Sequence, residues 1–371
     1  MDFNFTDEQE QLRDAVAKWV ARSYTFDRRR EIVAKGGFSE DTWRELSDLG
    51  LAALAVSDAH GGLGMGAVEA MVVMEQLGRG LVMDPMVQTW MTAQVLQSHA
   101  SEALQAQHLP NLAIGQWRCV LAHQERAARY RLEVCQTQAE PSASGQWQLT
   151  GLKSVVPMAS QAHAFLVPAM AKGQLSLFLV EANAPGVTVR PYVGQDGASL
   201  GDVSLNKASA IQVTQDGQSA LDWCADVGVA MVCAEAVGIM DTTLGMTAEY
   251  LNTRKQFGVA ISSFQALRHR MADMKMQLEL ARSMSYYATL KLGAPAAERR
   301  QAVARAKYQL SQSMRYVGQQ AIQLHGGIGV TDEYMVGHCF KRLTVLEMTW
   351  GDGLHHLGEV SARMQDTAGV F

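Results

Sequence analysis

Near the end of the chain the stretch LEMTWGDGLHH, residues 346–356, crowds Glu347, Trp350, Asp352, His355 and His356 into one short expected helix. Acid and imidazole groups at this density suit general acid–base work, which needs a titratable group within hydrogen-bond reach of the proton it moves. A metal fits poorly. Helical zinc histidines recur at i and i+4 on one face, whereas His355 and His356 are adjacent and should point apart. Asp352 has a second use, as the N-cap of a helix in DGLHHLGEV, and Glu347 reads as a solvated helix residue.

Two other stretches and one lone acid could do chemistry. In RKQFG, residues 254–258, Arg254 brings a permanent cation whose planar fork matches a diphosphate. In QLHGGIG, residues 323–329, Gly326 and Gly327 stand at an expected helix end, where glycine permits positive φ and a ligand can approach the backbone. Either feature alone has a plain structural explanation, a helix stop or a surface ion pair. Glu235 is flanked at helical spacing by Met231, Val232, Gly238 and Ile239, which puts it on an apolar stripe. A carboxylate there is either a catalytic base or a satisfied core or interface acid, and the rule that buried acids are paired favours the second. His325 packs or hydrogen-bonds beside the glycine pair.

Helices and strands of recognisable texture carry these residues. TDEQEQLRDAVAKWVA has Thr6 as N-cap and Leu12, Val16, Trp19 and Val20 at helical spacing; SEDTWRELSDLGL repeats the pattern between Ser39 and Gly50. With AVEAMVVMEQLGRG, residues 1–117 form an N-terminal helical domain. From Cys119 the runs RCVLAHQE, RLEVCQTQAE, GQWQLTGLKSVV, AHAFLVPAMA, LSLFLVEA and VTVRPYV read as short strands, so residues 118–219 form a small antiparallel β domain, a barrel or sandwich. Residues 220–371 return to helix. Three long segments and a shorter fourth make a bundle, with Ser263 expected to cap the second and Val303, Ala306, Leu310, Met314, Val317, Ala321 and Leu324 on one stripe of the third. The fold class is α+β.

Composition narrows the function. The chain has 371 residues, 48% hydrophobic and 19% charged, with a formal net charge of -5. That charge argues against a general nucleic-acid binder, which needs a basic face. No run approaches the apolar length that spans a bilayer, and MDFNFTDEQEQLRDAV lacks the pattern of a secretory leader, so no membrane insertion is expected. Five scattered cysteines without a CxxC pair read as reduced thiols of a cytoplasmic protein.

Helices, a β domain and a bundle holding RKQFG, FQALRHRMADM and QLHGGIGVT in that order resemble an acyl-CoA dehydrogenase over almost the whole chain, most closely the small subunit of heteromeric enzymes of the pimeloyl-CoA and steroid type. The resemblance implies FAD, with its adenine and diphosphate end held by Arg254, Phe257, Gln265, Gln323, Gly326 and Gly327 toward a neighbouring subunit's site. It implies α,β-dehydrogenation of an acyl-CoA, a carboxylate removing the α proton, with electron-transfer flavoprotein as electron acceptor. Members hold that base in a Tyr-Glu-Gly-Thr-like turn, which falls here on Thr349-Trp350-Gly351-Asp352 and puts Trp350 at the base position. A subgroup places it early in the first bundle helix, near Gly228. Neither position carries an acid. The loop that packs the isoalloxazine is replaced by AHQERAARY, residues 122–130, and its Trp-x-Thr companion falls near SVVPMAS, residues 154–160. A chain with one good half of the site asks for a large acyl-CoA dehydrogenase subunit as partner, in a heterotetramer. A noncatalytic scaffold of the same fold, or a self-sufficient homodimer using Asp352 or Glu235 as base, are the alternatives.

Overall fold

The computed structural model of the chain describes residues 5–143 and 145–364. Residues 1–4, part of the stretch read for a leader, and residues 365–371 of the last segment lie outside the described residues.

Six α-helices open the chain: α1 (Asp7–Ser23), α2 (Phe26–Ala34), α3 (Glu40–Asp48), α4 (Ala67–Arg79), α5 (Met86–His99) and α6 (Glu102–Ala113). Local chemistry sets their ends. The Thr6 hydroxyl accepts from Gln9 N while the Gln9 side chain accepts from Thr6 N, a reciprocal cap. Ser39 accepts from Thr42 N at the start of α3, and Gly50, at φ +79°, turns the chain away just past its end.

Seven strands come next: β1 (Cys119–Leu121), β2 (Gln138–Pro141), β3 (Trp147–Pro157), β4 (Ala164–Ala171), β5 (Gln174–Glu181), β6 (Val187–Val193) and β7 (Ser199–Thr214). The order β4-β2-β3-β7-β5 closes on itself where β5 meets β4, so the sheet is a barrel, with β1 added beside β4 and β6 beside β7. It is not wholly antiparallel. β1 and β2 both run parallel to β4, at Ala164–Leu166 and at Met170–Ala171, because residues 122–137 leave one edge of β4 and rejoin it further along. The run RLEVCQTQAE pairs only from Gln138 onward. The 16-residue β7 is absent from the expected strands, since its Ser, Asn, Lys and Gly residues dilute the alternation that its burial still shows.

The helical remainder comprises α7 (Gly217–Thr253), a two-residue hairpin of β8 (Lys255–Gln256) and β9 (Val259–Ala260), α8 (Gln265–Leu290), α9 (Ala296–His325), α10 (Met335–Met348) and α11 (Gly353–Ala362). Ser263 does not cap α8. It lies in a 3-10 turn and its hydroxyl donates back to Ala260 O, leaving α8 to start after Phe264 without a side-chain cap. The expectation about apolar runs also needs correction: α7 is long and apolar enough to cross a membrane, but 94% of its most apolar window is buried within the protein, as in a core helix.

The chain divides into two compact units: the chain up to Arg29 with Ala67–Val82 and everything from Gly228, and Arg30–Gly66 with Met83–Val227. In the second, Leu149, Phe165, Val167, Phe178, Val180, Val203 and Leu205 fill the barrel. In the first, the expected α9 stripe from Val303 to Leu324 is buried throughout, with Met274, Leu278 and Ala281 of α8. There α4 and α7 touch backbone to backbone. A Cβ on Gly78 would lie 2.3 Å from Glu235 O, and one on Gly238 would lie 1.9 Å from Glu75 O. Gly238→Ala should therefore destabilise the protein by about 1–3 kcal/mol through overpacking. Gly245→Ala, in the same helix with nothing near its added Cβ, should instead gain up to about 1 kcal/mol from helix propensity. Urea titration of both variants checks the opposite signs.

Candidate functional site

The turn Thr349–Asp352 between α10 and α11 is held from several sides. Lys307 of α9 is fully buried and donates to Leu346 O at 2.7 Å, Glu347 O at 3.2 Å and Thr349 O at 2.7 Å. Its ammonium thus satisfies carbonyls that a helix end leaves open, where a cation also meets the negative end of the macrodipole. Burial pulls Lys307 down to about 8, against the opposing pull of Cys233, Glu347 and Asp352. Trp350 and Gly351 come next at φ +61° and +107°. Only glycine fits at 351, where an added Cβ would lie 2.5 Å from the His355 ring and 2.8 Å from that of His356. His356 Nε2 donates to Trp350 O at 2.9 Å.

The Trp350 indole lies across Gly228 of α7, and a Cβ on Gly228 would stand 2.4 Å from indole Nε1. The two positions at which the resemblance places the base are therefore neighbours in space, and one ring covers both.

Asp352 caps α11, its carboxylate accepting from His355 N at 2.8 Å. Glu347 is not solvated as expected: its side chain is 13% exposed and pairs with Arg315 Nη2 at 3.0 Å. The adjacent histidines do not splay either, since their rings meet edge to face with centroids 5.0 Å apart. Glu235 is buried, with Arg342 Nε and Nη2 at 2.6 and 3.0 Å from its two oxygens, which favours the paired-acid reading.

The RKQFG and QLHGGIG stretches come together at one end of the bundle. Tyr250 of α7, whose carbonyl accepts from Arg254 N at 2.8 Å, stacks on His325 with ring centroids 4.6 Å apart. His325 is buried against Ala321 O at 2.8 Å, and the Tyr334 ring lies tilted to it with centroids 5.2 Å apart. The neighbouring backbone faces outward. Arg254 is exposed, and its guanidinium makes no hydrogen bond or ion pair among the described residues. Phe257, at the hairpin tip, is 92% exposed, and Gln265, Gln323, Gly326 and Gly327 are exposed as well. Gly326 has φ +61°, and an added Cβ on either glycine would meet nothing within 4 Å. A free guanidinium, an exposed ring and open glycine backbone fit an aromatic group joined to a diphosphate.

In the other unit, Glu125 of the AHQERAARY stretch is buried against Lys153 Nζ at 2.6 Å. It also accepts from Gln136 N, Thr137 N and Thr137 Oγ1. Burial alone would raise this carboxyl, but the charge and hydrogen bond of Lys153, with the other donors, hold it at about 2. Neither this pair nor Lys307 is legible from local sequence. A lysine inside the apolar strand LKSVV is the one available signal.

Three family profiles match the chain in order: the N-terminal, middle and C-terminal domains of acyl-CoA dehydrogenase, over residues 6–116, 121–208 and 215–364. The chain belongs to the acyl-CoA dehydrogenase family, a family of FAD-dependent flavoproteins. It is similar to acyl-CoA dehydrogenase FadE27 of Mycobacterium tuberculosis, with 27% identity over 379 residues, 99% of this chain and 100% of the relative. Among solved structures, the ChsE4-ChsE5 complex from Mycobacterium tuberculosis matches at TM-score 0.90 and 27% identity, covering 98% of this chain and 99% of that one. A variant of the Tcur3481-Tcur3483 steroid ACAD gives TM-score 0.90 at 27% identity and the same coverage.

The turn also makes stability depend on pH. Burial, then the charge of Lys307 and the neighbouring His355, lower His356 from 6.5 to about 3. Above 7 the imidazole is neutral in both folded and unfolded chains and contributes nothing to the pH dependence. Between those two values the unfolded chain binds a proton that the folded chain refuses, so stability falls as pH drops, by about 1.4 kcal/mol per pH unit at most. His356→Gln keeps a donor for Trp350 O and should flatten the slope by one proton between pH 6 and 4. Urea midpoints across that range measure it.

Proposed function

We propose that this chain is the small subunit of an FAD-dependent acyl-CoA dehydrogenase heterotetramer, lending adenine and diphosphate contacts to a site whose base lies on a large partner subunit. The observation that carries this reading is the Trp350 indole against Gly228. It fills both places where the family's carboxylate would stand, while Asp352 is committed to a helix cap and Glu235 to Arg342. Arg254, Phe257, Gln265, Gln323, Gly326 and Gly327 supply the complementary half: a cation for the diphosphate, exposed side chains for the adenine end, and backbone that a ligand can approach. FAD, when bound, accepts the hydride from the substrate's β carbon; this chain's part is to grip and orient. The solved relative named as a ChsE4-ChsE5 complex supports assembly from unlike chains, and the steroid ACAD relative supports a bulky acyl group. Electron-transfer flavoprotein completes the proposed scheme as acceptor, and five free thiols suit a cytoplasmic setting.

Purified alone, the chain should be flavin-poor and inactive; mixed with its large partner it should yield one FAD per pair of unlike chains, bleached by acyl-CoA under anaerobic conditions. Stoichiometric flavin and substrate bleaching in the isolated chain would sink the heteromer reading and revive the homodimer. A complex that binds flavin equally well without this chain would leave it a scaffold. Within the complex, Arg254→Ala should weaken FAD by roughly 1.5–3 kcal/mol, the contribution of a charge-assisted hydrogen bond. Unchanged occupancy at limiting FAD would remove Arg254 from the site.

A further inference from the structure

The barrel unit holds a cavity of about 380 Å³ where the stretches 122–130 and 154–160 meet, joined by the hydrogen bond from Ser154 N to Gln124 O at 2.8 Å. Its lining includes Arg126, Ser154, Arg190, Tyr192 and Asp202. Arg126 and Arg190 are exposed, and neither guanidinium has a hydrogen bond or ion pair among the described residues. Exposed arginines alone would be merely solvated. Ser154 makes the difference: it is 5% exposed, lines the cavity, and its Oγ has no hydrogen-bond partner among the described residues. A buried hydroxyl left unpaired is costly, so it calls for a partner within reach.

The backbone that presents this hydroxyl is held in an unusual shape. The β3–β7 pairing slips between Lys153 and Val156, a bulge that re-aims side chains. Val155 sits at φ +56°, rare for a β-branched residue. Its N–H is fastened to Tyr192 Oη at 3.1 Å and Asp202 Oδ1 at 3.3 Å, and Tyr192 also donates to Asp202 Oδ1 at 3.1 Å. Asp202 is thus already engaged, with lone pairs left to accept from a ligand hydroxyl or amide.

We propose that this cavity binds the phosphate group of a phosphate ester, with Arg126 and Arg190 on the anion, Ser154 donating to it, and Asp202 accepting from the organic part. Two guanidiniums give the forked donors that phosphate takes. The site lies wholly within one unit and needs no flavin, so its failure leaves the dehydrogenase reading untouched, and the converse holds.

The test is calorimetric titration of the full-length chain, free of flavin and at low salt, with pyrophosphate, ADP and glutarate as probes. A site dependent on Arg126 and Arg190 should bind pyrophosphate and ADP, apart from any binding at the Arg254 cluster. Arg126→Gln and Arg190→Gln should each raise Kd at least tenfold, Ser154→Ala a few-fold, and Lys172→Gln, in a distant turn, not at all. Equal affinity for the two phosphates would mark recognition of the anion itself, and tighter ADP binding would add the organic part; both support the site. Absence of phosphate binding would overturn it, as would glutarate binding as tightly as pyrophosphate. So would binding that disappears with Arg254→Ala yet ignores both arginine variants, which would place the phosphate at the other cluster.

Discussion

The end of the bundle depends on one buried ammonium. Lys307 reaches from α9 to three carbonyls of the α10 terminus, and that anchorage sets the path of the chain beyond it. With α10 stopped at Met348, Trp350 and Gly351 turn through positive φ, Asp352 caps α11, and α11 returns its histidines over Gly351. Removing the ammonium would leave buried and part-buried carbonyls unpaired, a larger loss than the net gain from forming the bonds. Burial keeps His356 neutral, and the same positive charge adds to that effect. A structural lysine thereby reinforces the neutral state of an imidazole that holds the turn's backbone.

Against that closed turn, the opposite character of the Arg254 and Gly326–Gly327 surface is informative. Proteins ordinarily bury aromatic rings and pair guanidiniums. Here a phenylalanine stands 92% exposed on a hairpin tip, beside an arginine without a partner among the described residues and a glycine helix end with space in front of it. Behind them Tyr250, His325 and Tyr334 pack ring on ring. A rigid backing under an unsatisfied face is the arrangement expected where a ligand or another chain supplies the missing contacts.

Local signals are legible in the sequence. Thr6, Ser39 and Asp352 cap the helices they precede, Gly326 ends α9, and the α9 stripe is buried, because caps and periodicity depend on residues a few positions apart. What escapes depends on distant partners. Lys307 in RAKYQL looks like any solvated helix lysine until residues 346–349 arrive. Glu125 and Lys153 find each other across the barrel, and no spacing announces them. β7 is hidden by polar residues on its open face, and the parallel pairing of β1 and β2 with β4 comes from an excursion that composition does not show. Of the candidate site residues, position is legible where a motif fixes it. The meeting of Trp350 with Gly228 is not, although the sequence marks each separately as an empty base position.

Two strained residues stand one in each unit. Bulky or β-branched side chains at positive φ are costly, of order 1–3 kcal/mol, and persist where the surroundings over-determine them. Trp350 and Val155 are both such residues. Trp350 sits in the turn where the resemblance expects the base, and Val155 in the segment where it expects flavin packing. In each the backbone is pinned by side chains: His356 donates to the Trp350 carbonyl, and the Val155 amide donates to Tyr192 and Asp202. The strain is fastened in place at both, and each segment is held by the contacts around it, an indole seated on Gly228 in one and an arginine-rimmed cavity in the other.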